Sequence, residues 1–220
     1  MERVICFLIG YAFGNFPTGY LLGKIYGVDI TKKGSGNVGT TNVLRNLGPK
    51  AGLLTLLGDF TKTLIPLFIT SFMFRDALDM RYLLTVYTGF GAVIGHNFPI
   101  SLGFHGGKGV ACTGAMIIYS DPILLISCAI AFFGGTLLTR FVSVGSLLVS
   151  VTYFAVNILL VSRGHRMGWG GNEPLSPAFH TEFYILVFVV SAMIVFQHRS
   201  NIIRLIRGNE NKLSFGGGKR

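Results

Sequence analysis

Acidic side chains are scarce in this sequence: nine Asp and Glu stand against 19 Lys and Arg, for a net charge of +10. Charge of either sign is thin, at 13% of residues, against ~25% in a soluble domain. So little charge argues against a water-soluble globule. The three cysteines, Cys6, Cys112 and Cys128, stand singly in apolar sequence. They offer no metal-ligand spacing and read as small buried hydrophobes; only Cys112 lies near a basic loop that could activate a thiol.

Familiar catalytic signatures are missing too. Gly109 follows Lys108 where a Walker loop needs Ser or Thr. There is no H-E-x-x-H, no Cys/His set for zinc, no serine in a G-x-S-x-G elbow and no His-x-x-x-x-Asp in a polar loop. Neither a metal nor a cofactor is expected.

What the chain has is apolar length. Half of its residues are hydrophobic and its mean hydropathy is +0.59. Its 30 glycines are about twice the usual ~7% share, and small residues let membrane helices approach closely. Apolar runs cover about Val4–Tyr26, Ala51–Phe74, Tyr82–Leu102, Val110–Tyr119, Ile123–Thr139, Ser143–Val161 and Phe183–Gln197. The first lacks an A-x-A-like cleavage site and reads as a retained span, bent at Asn15 and Pro17. The fourth rises only ~15 Å, half a bilayer. The expectation is an all-α, polytopic membrane helix bundle of about seven segments, one or more of them short. Residues 1–212 are expected to form one domain, and 213–220 a disordered tail.

Lysine and arginine set the expected orientation. With the N-terminus outside, one face collects thirteen of the 19 basic residues: Lys24, Lys32, Lys33, Arg45, Lys50, Lys108, Arg140, Arg199, Arg204, Arg207, Lys212, Lys219 and Arg220. Arg3, Arg75, Arg81, Arg163 and Arg166 fall on the other. The richer face, with the C-terminus, is expected to be cytoplasmic. Its charge then serves anionic lipid and ligands rather than nucleic acid.

Four polar motifs lie in or beside that face. Gly34-Ser35-Gly36-Asn37-Val38-Gly39-Thr40-Thr41-Asn42-Val43-Leu44-Arg45 mixes glycines, hydroxyls and carboxamides before an arginine able to grip phosphate bidentately; a plain turn-rich loop is its structural alternative. Gly95-His96-Asn97-Phe98-Pro99 precedes Gly103-Phe104-His105-Gly106-Gly107-Lys108-Gly109. Glycine-dense backbone of that kind can converge N–H groups on an anion, and a helix opening at Val110 would add its terminal partial charge. His96 is read either as structural or as catalytic.

In Arg140-Phe141-Val142-Ser143-Val144-Gly145-Ser146 two hydroxyls sit three apart, one helical turn, though Arg140 can equally snorkel and the serines simply pack helices. His198-Arg199-Ser200-Asn201 opens an amphipathic basic stretch at the end of the last span. Asp59 and Lys62 stand apart: each isolated charge at mid-span costs ~2.5–3.5 kcal/mol, and their spacing lets them pair on one helical face.

Together these motifs resemble the acyl-phosphate-dependent glycerol-3-phosphate acyltransferases of bacteria, the PlsY family, over nearly the whole chain. The resemblance implies transfer of a fatty acyl group from acyl phosphate to the sn-1 hydroxyl of glycerol 3-phosphate, at the cytoplasmic face of the bacterial inner membrane. The products would be lysophosphatidic acid and phosphate. It implies catalytic roles for Ser35, Arg45, Lys108, Ser143 and His198. It implies substrate contacts or site shaping by Gly34, Gly36, Asn37, Asn42, His96, Gly106, Gly107, Gly109, Arg140 and Asn201.

A soluble enzyme that produces acyl phosphate is the implied partner. Thr40 stands where the family usually has alanine, and His105 where it often has lysine. The general base is left between His96 and the substrate's own phosphate, and the absence of a visible carboxylate–histidine pair favours the phosphate. The rival class is a phosphate-anion transporter or channel, suited by the intramembrane Asp59 and Lys62. A cysteine placed at position 108 is expected to react with impermeant reagents from the cytoplasmic side only; labelling from the outer face overturns this orientation.

Overall fold

The computed structural model describes residues 1–168 and 174–213. Of the expected disordered tail only Leu213 is therefore included, and its N–H donates to the Arg140 carbonyl at 2.6 Å; residues 214–220 lie outside the described residues.

Among the described residues the fold is all-helical, and every apolar run of the sequence is helical. The first run is two helices, α1 (Glu2–Gly14) and α2 (Thr18–Ile25). Pro17 has no N–H to continue the ladder. Asn15 caps the break: its Nδ2 donates to the Tyr11 carbonyl at 2.7 Å, and its Oδ1 accepts the Ile100 N–H at 2.8 Å. The polar stretch after α2 contains the short helix α3 (Thr40–Leu47). Gly48, at φ 88°, then turns the chain into α4 (Pro49–Met73), with Pro49 in the first turn where its missing N–H costs nothing.

Next come α5 (Arg81–Asn97), α6 (Val110–Ser120), α7 (Pro122–Thr139), α8 (Val142–Ser162), α9 (His180–Gln197) and α10 (Arg199–Ile206). The side chain of Asp121 caps α7, accepting from the Ile123 and Leu124 N–H groups. Among the described residues, five segments are long and apolar enough to cross a membrane: α1–α2, α4, α7, α8 and α9 with the turn before it. Helix α5, with 17 residues, is the most enclosed, and α6, with 11, is too short to cross unaided.

Threonine lets α4 carry polar groups in an apolar setting. Thr55, Thr63 and Thr70 are fully buried, yet each hydroxyl donates to the carbonyl four residues back. The glycine excess has a specific use between α1 and α5. A Cβ at Gly10 or Gly14 would overlap the backbone of Thr88 or Ala92. One at Gly91 or Gly95 would overlap the carbonyl of Phe7 or Tyr11. Two helix backbones therefore touch, with dispersion replacing the hydrophobic effect that lipid cannot supply.

Gly95→Ala is accordingly expected to destabilise the protein by about 1–3 kcal/mol through overpacking. Gly134→Ala, where no atom lies within 4 Å, should leave the thermal midpoint of the detergent-purified protein nearly unchanged. Equal midpoints for the two variants would show that the α1–α5 contact is not tight.

Candidate active site

The glycine loop at 103–109 folds back on the end of α5. The Gly106 N–H donates to the Asn97 carbonyl at 3.0 Å, and the Gly107 N–H to the His96 carbonyl at 2.9 Å. A Cβ at Gly106 would overlap the His96 carbonyl, and one at Gly107 would overlap His96 Nε2. These two glycines admit His96 and Asn97 rather than an anion. That corrects the expectation that their amides face phosphate, because both amides are already occupied. Gly109, at φ 79°, turns the chain into α6. The amides of Lys108, Gly109, Val110 and Ala111 have no backbone partner among the described residues, and all four residues line a cavity. The N-terminus of α6 is thus the end of that cavity with amides open to an anion.

Other elements converge on the same place. Asn42 shapes the first motif: its Oδ1 accepts the Ser35 N–H at 3.0 Å, while its Nδ2 donates to the Lys33 carbonyl at 3.0 Å. Asn37 Oδ1 accepts the Gly39 N–H at 2.9 Å, and Asn37 Nδ2 reaches the Gly106 carbonyl at 3.3 Å, joining the first motif to the glycine loop. Lys108 Nζ donates to Asn201 Oδ1. Asn201 Nδ2 in turn donates to Glu210 Oε1 at 3.0 Å, and Arg204 Nε to Glu210 Oε2 at 2.8 Å.

Burial, aided by the neighbouring Arg204, lowers the Lys108 pKa to about 8. His198, lowered to about 4 by burial and then by the neighbouring Lys108 charge, is neutral at pH 7. Its Nδ1–H donates to the Ile194 carbonyl at 2.7 Å, which leaves Nε2 unprotonated. Arg45 Nη2 donates to the Asn211 carbonyl at 3.0 Å. The Ser143 hydroxyl is buried without a partner among the described residues.

These groups form one end of a cavity of about 490 Å³. The other end, between α4, α6, α7 and α8, is lined by Phe60, Gly114, Ile117, Leu125, Ala129, Phe132 and Val149. A cationic, hydrogen-bonding mouth thus continues into an apolar groove, the shape an amphiphile requires.

A family model described as glycerol-3-phosphate acyltransferase matches residues 4–208. The chain is 38% identical over 213 residues to the glycerol-3-phosphate acyltransferase of Geotalea daltonii, covering 96% of this chain and 98% of that one. It is 34% identical over 215 residues to that of Clostridioides difficile, covering 96% and 95%. The crystal structure of PlsY, an integral membrane glycerol 3-phosphate acyltransferase, in its glycerol 3-phosphate form superposes with a TM-score of 0.78 at 30% identity, over 97% of this chain and 96% of that one. The chain belongs to the glycerol-3-phosphate acyltransferase family.

Within this acyltransferase, Ser35, Asn37, Asn42, Arg45, His96, Lys108, Gly109, Ser143, His198 and Asn201 all line the cavity. Gly34 and Gly36 do not; they serve as left-handed turns at φ 55° and 70°. Gly106 and Gly107 lie behind the wall. Arg140, also predicted for the site, ends α7 at φ 63° and is exposed, outside the cavity lining.

Sequence reasoning passed over Glu210 and Asn211, which sit in an unremarkable tail yet line the cavity. It also passed over Asp59 as a neighbour of His96. Asp59 and Lys62 pair as expected, at 2.8 Å, but His96 Nδ1 lies 2.9 Å from Lys62 Nζ and 3.6 Å from Asp59 Oδ1. A carboxylate and a histidine do therefore meet, across two helices where no local spacing could reveal it. Because His96 fills the space that a side chain at 107 would need, Gly107→Ala is expected to abolish acyltransferase activity in a protein that still reaches the membrane; wild-type turnover would contradict this placement.

Proposed function

We propose that residues 1–212 act as one acyltransferase domain that moves a fatty acyl group from acyl phosphate to the sn-1 hydroxyl of glycerol 3-phosphate, an early step of phospholipid synthesis. The observation that carries the reading is the two-ended cavity. Both substrates bring phosphate to a mouth that holds Lys108, Arg45, Arg204 and the N-terminus of α6, and only the donor needs the apolar groove beyond.

In this reading Ser35, Lys108 and the free amides of α6 hold the acyl-phosphate group. Arg45, Ser143 and His198 hold glycerol 3-phosphate, with Asn37, Asn42 and Asn201 fixing the geometry around them. The sn-1 oxygen attacks the acyl carbonyl carbon, and the bond from that carbon to the phosphate oxygen breaks. The hydroxyl proton passes to the departing phosphate, giving lysophosphatidic acid and inorganic phosphate. The nucleophile belongs to the substrate, so the protein's contribution is orientation and neutralisation of charge on the carbonyl oxygen and the leaving group.

The mouth faces the cytoplasm of a bacterial inner membrane, where a soluble enzyme supplies acyl phosphate. A carrier would need polar groups along its whole path. Here the far end of the cavity is apolar, and the family is one of acyltransferases.

Purified protein given acyl phosphate and labelled glycerol 3-phosphate is expected to release lysophosphatidic acid, with acyl-CoA failing to replace the donor. A folded sample inactive with acyl phosphate, or equally active with acyl-CoA, sinks the proposal. Lys108→Ala should cost on the order of 100-fold in kcat/KM. The pKa of Lys108 is depressed, so its charge is lost as pH rises through about 8. The kcat/KM of the wild type should fall over that range, and Lys108→Arg should carry the fall to higher pH.

A further inference from the structure

Asp59 and Lys62 are 1% and 6% exposed, inside a helix long and apolar enough to span the membrane. Neither has been given a part in the reaction. The Lys62 ammonium has three N–H donors and three acceptors in reach: the Phe16 carbonyl at 2.8 Å, Asp59 Oδ1 at 2.8 Å and His96 Nδ1 at 2.9 Å. The first of these belongs to the break between α1 and α2. Lys62 Nζ stands 2.8 Å from a carboxylate oxygen and 2.9 Å from the ring nitrogen, so in the Lys62–His96 contact the amine is the donor. Its acceptor, His96 Nδ1, must be the unprotonated ring nitrogen. The carboxylate, 3.6 Å from that nitrogen, is too far to take a hydrogen bond from it.

We infer that Lys62, clamped by Asp59 and the Phe16 carbonyl, is a positioning residue that holds His96 as its neutral Nε2–H tautomer and thereby sets the glycine loop. The ring edge carrying Nε2 lies directly against Gly107, where a Cβ would overlap it. The His96 carbonyl takes the Gly107 N–H at 2.9 Å. Fixing this one residue from α4 therefore fixes both the side-chain and the backbone support of Gly107, and the next residue is Lys108. With Nδ1 occupied by Lys62 and Nε2 already protonated, His96 has no site to accept a proton. It supports the loop and does not act as the base. This inference rests on the acyltransferase reading for its kinetic consequence, but not for the tautomer.

The test uses the full chain with 15N-labelled histidine in lipid nanodiscs at neutral pH, and the His96 signals are identified by their loss in His96→Gln. The expected spectrum has an unprotonated Nδ1 and a protonated Nε2. A protonated Nδ1 in the wild type, alone or with Nε2, overturns the inference. The double variant Asp59→Asn/Lys62→Met removes both charges together, leaving neither unpaired. It is expected to lose the fixed tautomer and ~10–100-fold in kcat, with the KM for glycerol 3-phosphate little changed. Wild-type kcat in that variant also overturns the inference, and if the variant fails to fold, the wild-type spectrum still decides. Should the wild type make no lysophosphatidic acid at all, the proposed reaction fails while the spectrum continues to judge the tautomer.

Discussion

An ammonium group inside an apolar helix bundle is the constraint on which most of this structure hangs. Lys62 is buried almost completely, so its three donors need acceptors within the protein. The three they find come from three places: a carbonyl at the break after α1, a carboxylate one turn away on α4, and an imidazole at the end of α5. Removing any one leaves a buried charge short of a partner, which costs several kcal/mol. The break in the first helix, the course of α4 and the end of α5 are therefore not independent choices.

The same economy governs the mouth of the cavity. The glycines at 106 and 107 make room for His96, and the chain after them supplies the amides that remain free. Carboxamides do the fastening: Asn37 ties one loop to another, Asn42 holds the first loop's shape, and Asn201 links Lys108 to Glu210. Carboxamides suit this work because each donates and accepts without adding a charge that would compete with the cations for an anionic ligand. Glu210 does not cancel the cationic end, because it is already shared between Arg204 and Asn201.

Much of this was legible in the residues. Apolar length against scarce charge marks an all-helical membrane bundle, and Asn15 with Pro17 places the break in the first apolar run. Asp59 and Lys62 announce their pairing by helical spacing alone. Ten of the fifteen residues singled out for the site do line the cavity. The failures share a cause, which is that direction is not written in composition. Glycines that could bare their amides to a ligand instead admit a neighbouring imidazole. Arg140 stands at a left-handed turn, exposed and outside the cavity lining. Asp59 and His96 lie on different helices, and Glu210 sits in a tail with no pattern to mark it, so only tertiary packing brings either into view.

The contact between Lys108 and Asn201 joins residues 93 positions apart in the chain. A ribosome delivers the glycine loop and the apolar groove long before it delivers α9, α10 and Glu210. Until those last segments are inserted, Lys108 lacks its fastening and His198 is absent from the wall. A nascent chain halted before its final fifth would therefore carry most of the groove for an acyl tail but an incomplete mouth. The mouth is thus completed only when α9 and α10 join the helices that came before them, rather than accumulated helix by helix.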